Sequence, residues 1–116
     1  MRHRNVNKIL DRKVGPRKAL LRGLVTSLVL YEKIKTTDGK ARAIRSIVEK
    51  VITKGKANNL VARRFLLKYL YGDNSVKKVL EVLSPRYLER KGGYVRIIKI
   101  GPRQGDSANM VQIEFV

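Results

Sequence analysis

The chain has 116 residues, no cysteine and one histidine, His3, which excludes disulfides, zinc ribbons, multi-histidine metal sites and most histidine-based triads. Lys and Arg number 27 against 9 Asp and Glu, a net charge of +18, while 43% of residues are apolar; such a chain can build a core, yet it repels itself unless a polyanion lies against it. No apolar run approaches the roughly 20 residues of a membrane-spanning helix.

Residues 1–14 lack periodicity and read as a basic N-terminal arm, with Arg2, Arg4, Lys8 and Arg12 set against Asp11. They contain no serine and too few apolar positions for a stripe, which argues against a mitochondrial presequence. Residues 15–116 read as a single globular domain. Gly15-Pro16 punctuates the boundary, with Pro16 expected at the first helical position. Leu20, Leu24 and Leu28, followed one step behind by Leu21, Val25 and Val29, predict a helix through PRKALLRGLVTSLVLYEK. Arg17, Lys18 and Arg22 load its N-terminal end with cations, opposing the helix dipole by a few tenths of a kcal/mol each, roughly. A phosphate there would reverse that cost.

EKIKTT alternates and is β-branched, which predicts a strand centred on Ile34. Thr37 or Asp38 can cap the next helix, about 39–54, whose Ala41, Ile44, Val48, Val51 and Ile52 share one face. Lys40, Arg42, Arg45 and Lys50 lie on the other, and Gly55 is expected to end the helix. Asn58 or Asn59 starts a third helix with Ala62, Phe65, Leu66, Tyr69 and Leu70 inward and Arg63, Arg64 and Lys68 outward, closed by Gly72. A short fourth helix with Val76, Val79, Leu80 and Leu83 as its stripe breaks at Ser84-Pro85. YVRIIKI and MVQIEFV then read as two strands joined through Gly101-Pro102 and Gly105-Asp106. The expected fold is α+β in two layers: a small three-stranded mixed sheet packed against about four helices.

The nine acids are scattered and form no D-x-D pair, and the sequence contains no H-E-x-x-H, P-loop or G-x-S-x-G; an enzyme is not expected, nor a metal, a cofactor or a small-molecule substrate. The charge is spread along the chain, with +7, +5, +5 and +1 on residues 1–22, 23–56, 57–91 and 92–116. A major-groove reader usually gathers its charge on one helix face; this distribution suits a protein with phosphate on several sides. Arg63-Arg64 could reach two strands, since adjacent helical residues diverge by about 100 degrees; the plainer reading is two solvated arginines. Thr36-Thr37 with Lys40 offers hydroxyls and a cation at a helix N-terminus, a natural phosphate site that could equally be ordinary capping. Gly92-Gly93 makes a turn or admits a close partner. Tyr94 fits a core edge better than a stacking platform, and with 6% aromatics and no tryptophan the recognition expected is of shape and phosphate.

The start MRHR, RKALLRGLVTSL, IKTTDGKARAIR, the pair Arg63-Arg64 and GGYVRIIKIGPRQGDSANMVQIE together resemble the bacterial large-subunit ribosomal protein seventeen family, in one collinear order from Met1 to Glu114. The resemblance implies a structural, cytoplasmic constituent of the large ribosomal subunit, with helix, strand, three helices and two strands, bound to ribosomal RNA beside the peptide exit tunnel. Its partners would be large-subunit ribosomal RNA and neighbouring ribosomal proteins, with no membrane. The RNA-contacting residues it implies are Arg2, His3, Arg4, Arg12, Arg17 and Arg22; then Thr36, Thr37, Lys40, Arg42 and Arg45; then Arg63, Arg64, Gly92, Gly93, Tyr94, Arg96 and Arg103. The alternative is a nucleoid-type or architectural DNA-binding protein, which gel shifts on structured RNA and duplex DNA would separate.

Overall fold

The computed structural model describes Leu10 and residues 13–116. Helix α1 (Val14–Tyr31) leads into strand β1 (Lys33–Thr37), helix α2 (Asp38–Lys56) and helix α3 (Leu60–Tyr69). Helix α4 (Asp73–Lys78) continues without a break through a π-helical turn (Val79–Leu83) into one further turn, α5 (Ser84–Arg86), before the hairpin of β2 (Val95–Pro102) and β3 (Asn109–Phe115). The expected α+β class and element order are found.

The sheet order is β1-β3-β2, and both pairings are antiparallel. The mixed sheet expected from sequence is therefore corrected. The last strand takes the middle, so each neighbour runs against it, while β1 and β2, which run the same way, never pair. Ile34 faces Ile113 and Thr36 faces Val111 on one side of β3; Val95 faces Phe115 and Ile97 faces Ile113 on the other. These alternate residues form the inner face. A bulge at Ile100 shifts the register between Lys99 and Gly101.

Helix α2 is the spine. Its Ala41, Ile44, Val48, Val51 and Ile52 are fully buried against Val25, Leu28 and Val29 of α1, Leu66 of α3, Val76, Val79 and Leu83 of the α4 run, and Ile113 of the sheet. Tyr87 closes the far end, its ring centroid 5.3 Å from that of Tyr94 and 6.2 Å from that of Phe115, while its hydroxyl donates to the Val116 carbonyl at 2.7 Å.

Several local signals resolve differently from their usual meaning. Pro16 is the third helical residue of α1, not the first. The first intrahelical bond runs from the Arg17 N–H to the Lys13 carbonyl, so no bond is lost at a residue that cannot donate. Gly55 is the penultimate residue of α2, which ends at Lys56 as expected to within two residues, but it is not the left-handed residue beyond the end, a role taken by Asn58 (φ 46°). It is buried, and a Cβ there would collide with Ser84 Oγ and stand 2.7 Å from Val79 Cγ1. This glycine lets the π-helical turn approach, and Ser84 Oγ donates to the Ile52 carbonyl at 3.1 Å across that contact. Ser84-Pro85 does not break the fourth helix, because the chain widens to π geometry ahead of it: the Ser84 N–H reaches back five residues to Val79. Phe65, expected inward, is 38% exposed. Helix α3 has too many apolar residues for one face, and Ala62 and Leu66 alone are buried in it.

Candidate nucleic-acid interface

Helix α3 is started by two asparagines in different roles. Asn58 takes a left-handed backbone (φ 46°), and Asn59 Oδ1 accepts from the Ala62 N–H at 2.8 Å. With Ala62 and Leu66 inward, Arg63 and Arg64 are exposed on the outer side. Neither makes a side-chain hydrogen bond or ion pair among the described residues, and the same holds for Arg45, exposed on α2, and for half-buried Arg17 and Lys40.

Other expected contacts serve the fold. Arg22 is half-buried; its Nε donates to the Tyr69 carbonyl at 2.7 Å and its Nη2 to the Lys68 carbonyl at 3.0 Å. Those are the last carbonyls of α3, which have no acceptor role left within the helix, so the guanidinium of α1 caps α3 and lies 4.4 Å over the Tyr71 ring. Tyr94 is 2% exposed and offers no ring face to a base. Its hydroxyl accepts from Lys56 Nζ at 2.6 Å, and the same ammonium donates to the Arg90 carbonyl, pinning the loop between α5 and β2 to the end of α2. Gly92 (φ 135°) and Gly93 (φ 63°) supply the turn in that loop.

Around the N-terminus of α2, Thr36 is buried opposite Val111, and Thr37 precedes the helix without a side-chain capping bond. Asp38 holds the first turn and pairs with Arg42 Nε at 3.0 Å. The hydroxyl-and-lysine phosphate site considered from sequence thus has a carboxylate in its first turn. Arg96 bridges to Glu114 at 3.3 Å across β2 and β3. Arg103 grips Asp106 through Nε at 3.0 Å and Nη2 at 2.5 Å, closing the hairpin loop. That grip, helped by the Ala108 N–H, holds the Asp106 carboxyl down at about 2. Arg2, His3, Arg4 and Arg12 lie outside the described residues, as does most of the expected arm; Leu10, within it, is half-buried near Gly39.

Sequence reading missed Glu32. It takes the left-handed position ending α1 (φ 63°) and receives Arg86 Nη1 at 2.5 Å and Lys78 Nζ at 3.1 Å. Hydrogen bonds from Arg86 and then Lys78 hold its carboxyl below the ordinary value. Also missed was a basic cleft between α2, α3 and the Gly92 loop; the overcrowded apolar pattern of α3 was its one visible sign.

Among the described residues, no group of three or more His, Cys, Asp or Glu could hold a metal ion, and no helix is long and apolar enough to cross a membrane. Fold and surface together define a small, strongly cationic α+β protein that, among the described residues, carries exposed arginines without ion-pair partners on α2 and α3. The family model described as ribosomal protein L17 matches residues 20–116. Proteins named large ribosomal subunit protein bL17 are similar over most or all of the chain. That of Dehalococcoides mccartyi is 48% identical over 116 residues, covering 100% of this chain and 99% of the relative. That of Desulforamulus reducens is 51% identical over 102 residues, covering 88% and 91%. That of Bdellovibrio bacteriovorus is 52% identical over 114 residues, covering 98% of this chain and 63% of the relative. The chain belongs to the ribosomal protein L17 family.

Proposed function

We propose that this chain is a structural, non-catalytic constituent of the bacterial large ribosomal subunit that binds ribosomal RNA, in the cytoplasm, beside the peptide exit tunnel and next to other large-subunit proteins. The observation that carries the RNA reading is the set of outward cations that form no ion pair among the described residues: Arg45 on α2 and Arg63 and Arg64 on α3. Phosphates paired with such groups release condensed counterions, a sequence-independent contribution that dominates affinity. Arginine adds two parallel hydrogen bonds to one phosphate. The RNA contacts assigned to Arg2, His3, Arg4 and Arg12, and the arm as a separate segment before residue 15, belong to the same proposal. The exit-tunnel position rests on the family resemblance.

Sucrose-gradient fractionation of native extract at moderate salt tests the reading. The protein should sediment with large subunits; recovery at the top of the gradient, with subunits lacking it, overturns the proposal. Gel shifts should show tighter binding to structured ribosomal RNA than to duplex DNA at matched salt, and equal affinity would favour a DNA-architectural role instead.

A further inference from the structure

Phe65 is the point of departure. A phenylalanine in the middle of an amphipathic helix ordinarily packs inward, yet this ring is 38% exposed and lines a cleft of about 610 Å³ between α2, α3 and the loop before β2. That volume falls in the range of roughly 300–1,000 Å³ typical of sites that take a small organic group. The cleft is walled by Lys50 and Lys54 of α2 and by Lys91 and Gly92 of the loop, with Glu49 as its one carboxylate. None of the three lysines is in an ion pair among the described residues. Lys54 Nζ stands 5.6 Å from the Phe65 ring centroid, so the ring already draws a cation towards it. A Cβ at Gly92 would meet nothing within 4 Å, and the backbone there (φ 135°) disfavours any side chain, which keeps that wall low.

We infer that this cleft receives one unstacked nucleotide of single-stranded RNA, its base against Phe65 and its phosphate among Lys50, Lys54 and Lys91. The inference rests on the RNA-binding reading above and adds the kind of RNA bound there. A cleft that holds one aromatic ring and three lysines matches the two faces of a nucleotide, one flat and apolar, the other anionic. An apolar peptide side chain would fill the same space but gain nothing from the positive charge of the exposed lysines around it. A paired base cannot enter, because its faces are already stacked. Phosphate contacts on the outer helix faces tolerate duplex; the cleft selects a loop, a bulge or an end.

The full chain is titrated with fluorescein-labelled oligouridine of about ten nucleotides and with a blunt RNA duplex, at one salt concentration. Phe65→Leu should weaken oligouridine binding by about fivefold or more, with duplex binding and thermal melting unchanged, and Phe65→Tyr should restore it. Lys50→Gln with Lys91→Gln should weaken oligouridine binding and flatten its salt dependence; this pair decides the matter if Phe65→Leu does not fold. Oligouridine affinity equal to wild type in the folded variants overturns the inference, as does an equal loss on both probes. Loss of a neighbouring protein from Phe65→Leu subunits, with oligouridine affinity intact, overturns it in favour of a protein occupant. If the wild-type chain binds neither RNA, the RNA-binding reading itself fails; if it binds duplex while Phe65 is silent, the cleft alone fails.

Discussion

An arginine on a basic helix ordinarily keeps its guanidinium in water, but Arg22 turns into the protein and donates to two terminal carbonyls of α3. The planar fork suits this position, because two N–H groups at fixed separation meet two carbonyls in adjacent peptides while the flat ion rests on Tyr71. A lysine could serve one carbonyl at a time. Arg22→Met, which keeps the aliphatic stem, should cost about 1–2 kcal/mol in urea unfolding and speed amide exchange at Leu70, whose N–H bonds to the Leu66 carbonyl at the end of α3. Arg22→Lys should recover part of that loss. Arg64→Gln, by contrast, should leave unfolding unchanged. A single sequence cannot separate these two arginines. Both sit in basic helical stretches, and the difference lies in a contact made 47 residues away.

Between elements, the junction of α1, the α4 run and the sheet gathers on Glu32. Its carboxylate takes Arg86 and Lys78, Lys78 also donates to the Leu30 carbonyl at 3.0 Å, and the Glu32 carbonyl accepts from the Phe115 N–H at 3.1 Å. The carboxyl is held below its ordinary value of 4.5. A depressed folded value means that the contribution to stability is fully present above that ordinary value and is lost as pH falls through the folded one. Melting of the wild type should therefore exceed that of Glu32→Gln near pH 6, and the gap should narrow towards pH 3, read by calorimetry across that range. An unchanging gap would assign Glu32 a neutral packing role.

Element order was legible because α2 and the α4 run each carry one clear apolar stripe and the two C-terminal strands change period to two. The stripes of α2 and of the α4 run are the buried sets found. What sequence could not show was long-range: Gly55 reads as a stop signal until Ser84 and Val79 are seen against it, and Ser84-Pro85 reads as a break until the widened turn before it is seen. The site was partly legible in the same way. Arg63, Arg64 and Arg45 stand outward as their helical phase requires, Tyr94 is buried as its core-edge reading expected, and Thr36 is buried on the strand face it shares with Ile34. The contacts that Arg22 and Lys56 make across the fold are what no local pattern specifies.

For the whole molecule, a net charge of +18 meets five ion pairs among the described residues, and most cations stay unmatched. Those ion pairs lie at or near the surface, where such pairs typically contribute up to about 1 kcal/mol, and they leave most of the charge uncompensated. Replacing Arg63 and Arg64 by Gln should reduce the slope of log affinity against log salt by about 0.7–0.9 for each phosphate contact removed, measured by filter binding to structured ribosomal RNA, with melting of the free protein unchanged. A parallel line of unaltered slope would place both residues away from phosphate.

The sheet leaves β1 and β2 as outer strands, and an outer strand is an open invitation to a second copy. Lys33 and Lys35 stand exposed along β1, while β2 is kinked by the bulge at Ile100 and carries Pro102 near its end. Lysine, bulge and proline are the devices that discourage edge-to-edge joining. Their consequence is self-avoidance: two copies of this chain that meet edge to edge find like charge, a kink and a missing donor where a partner strand would have to pair.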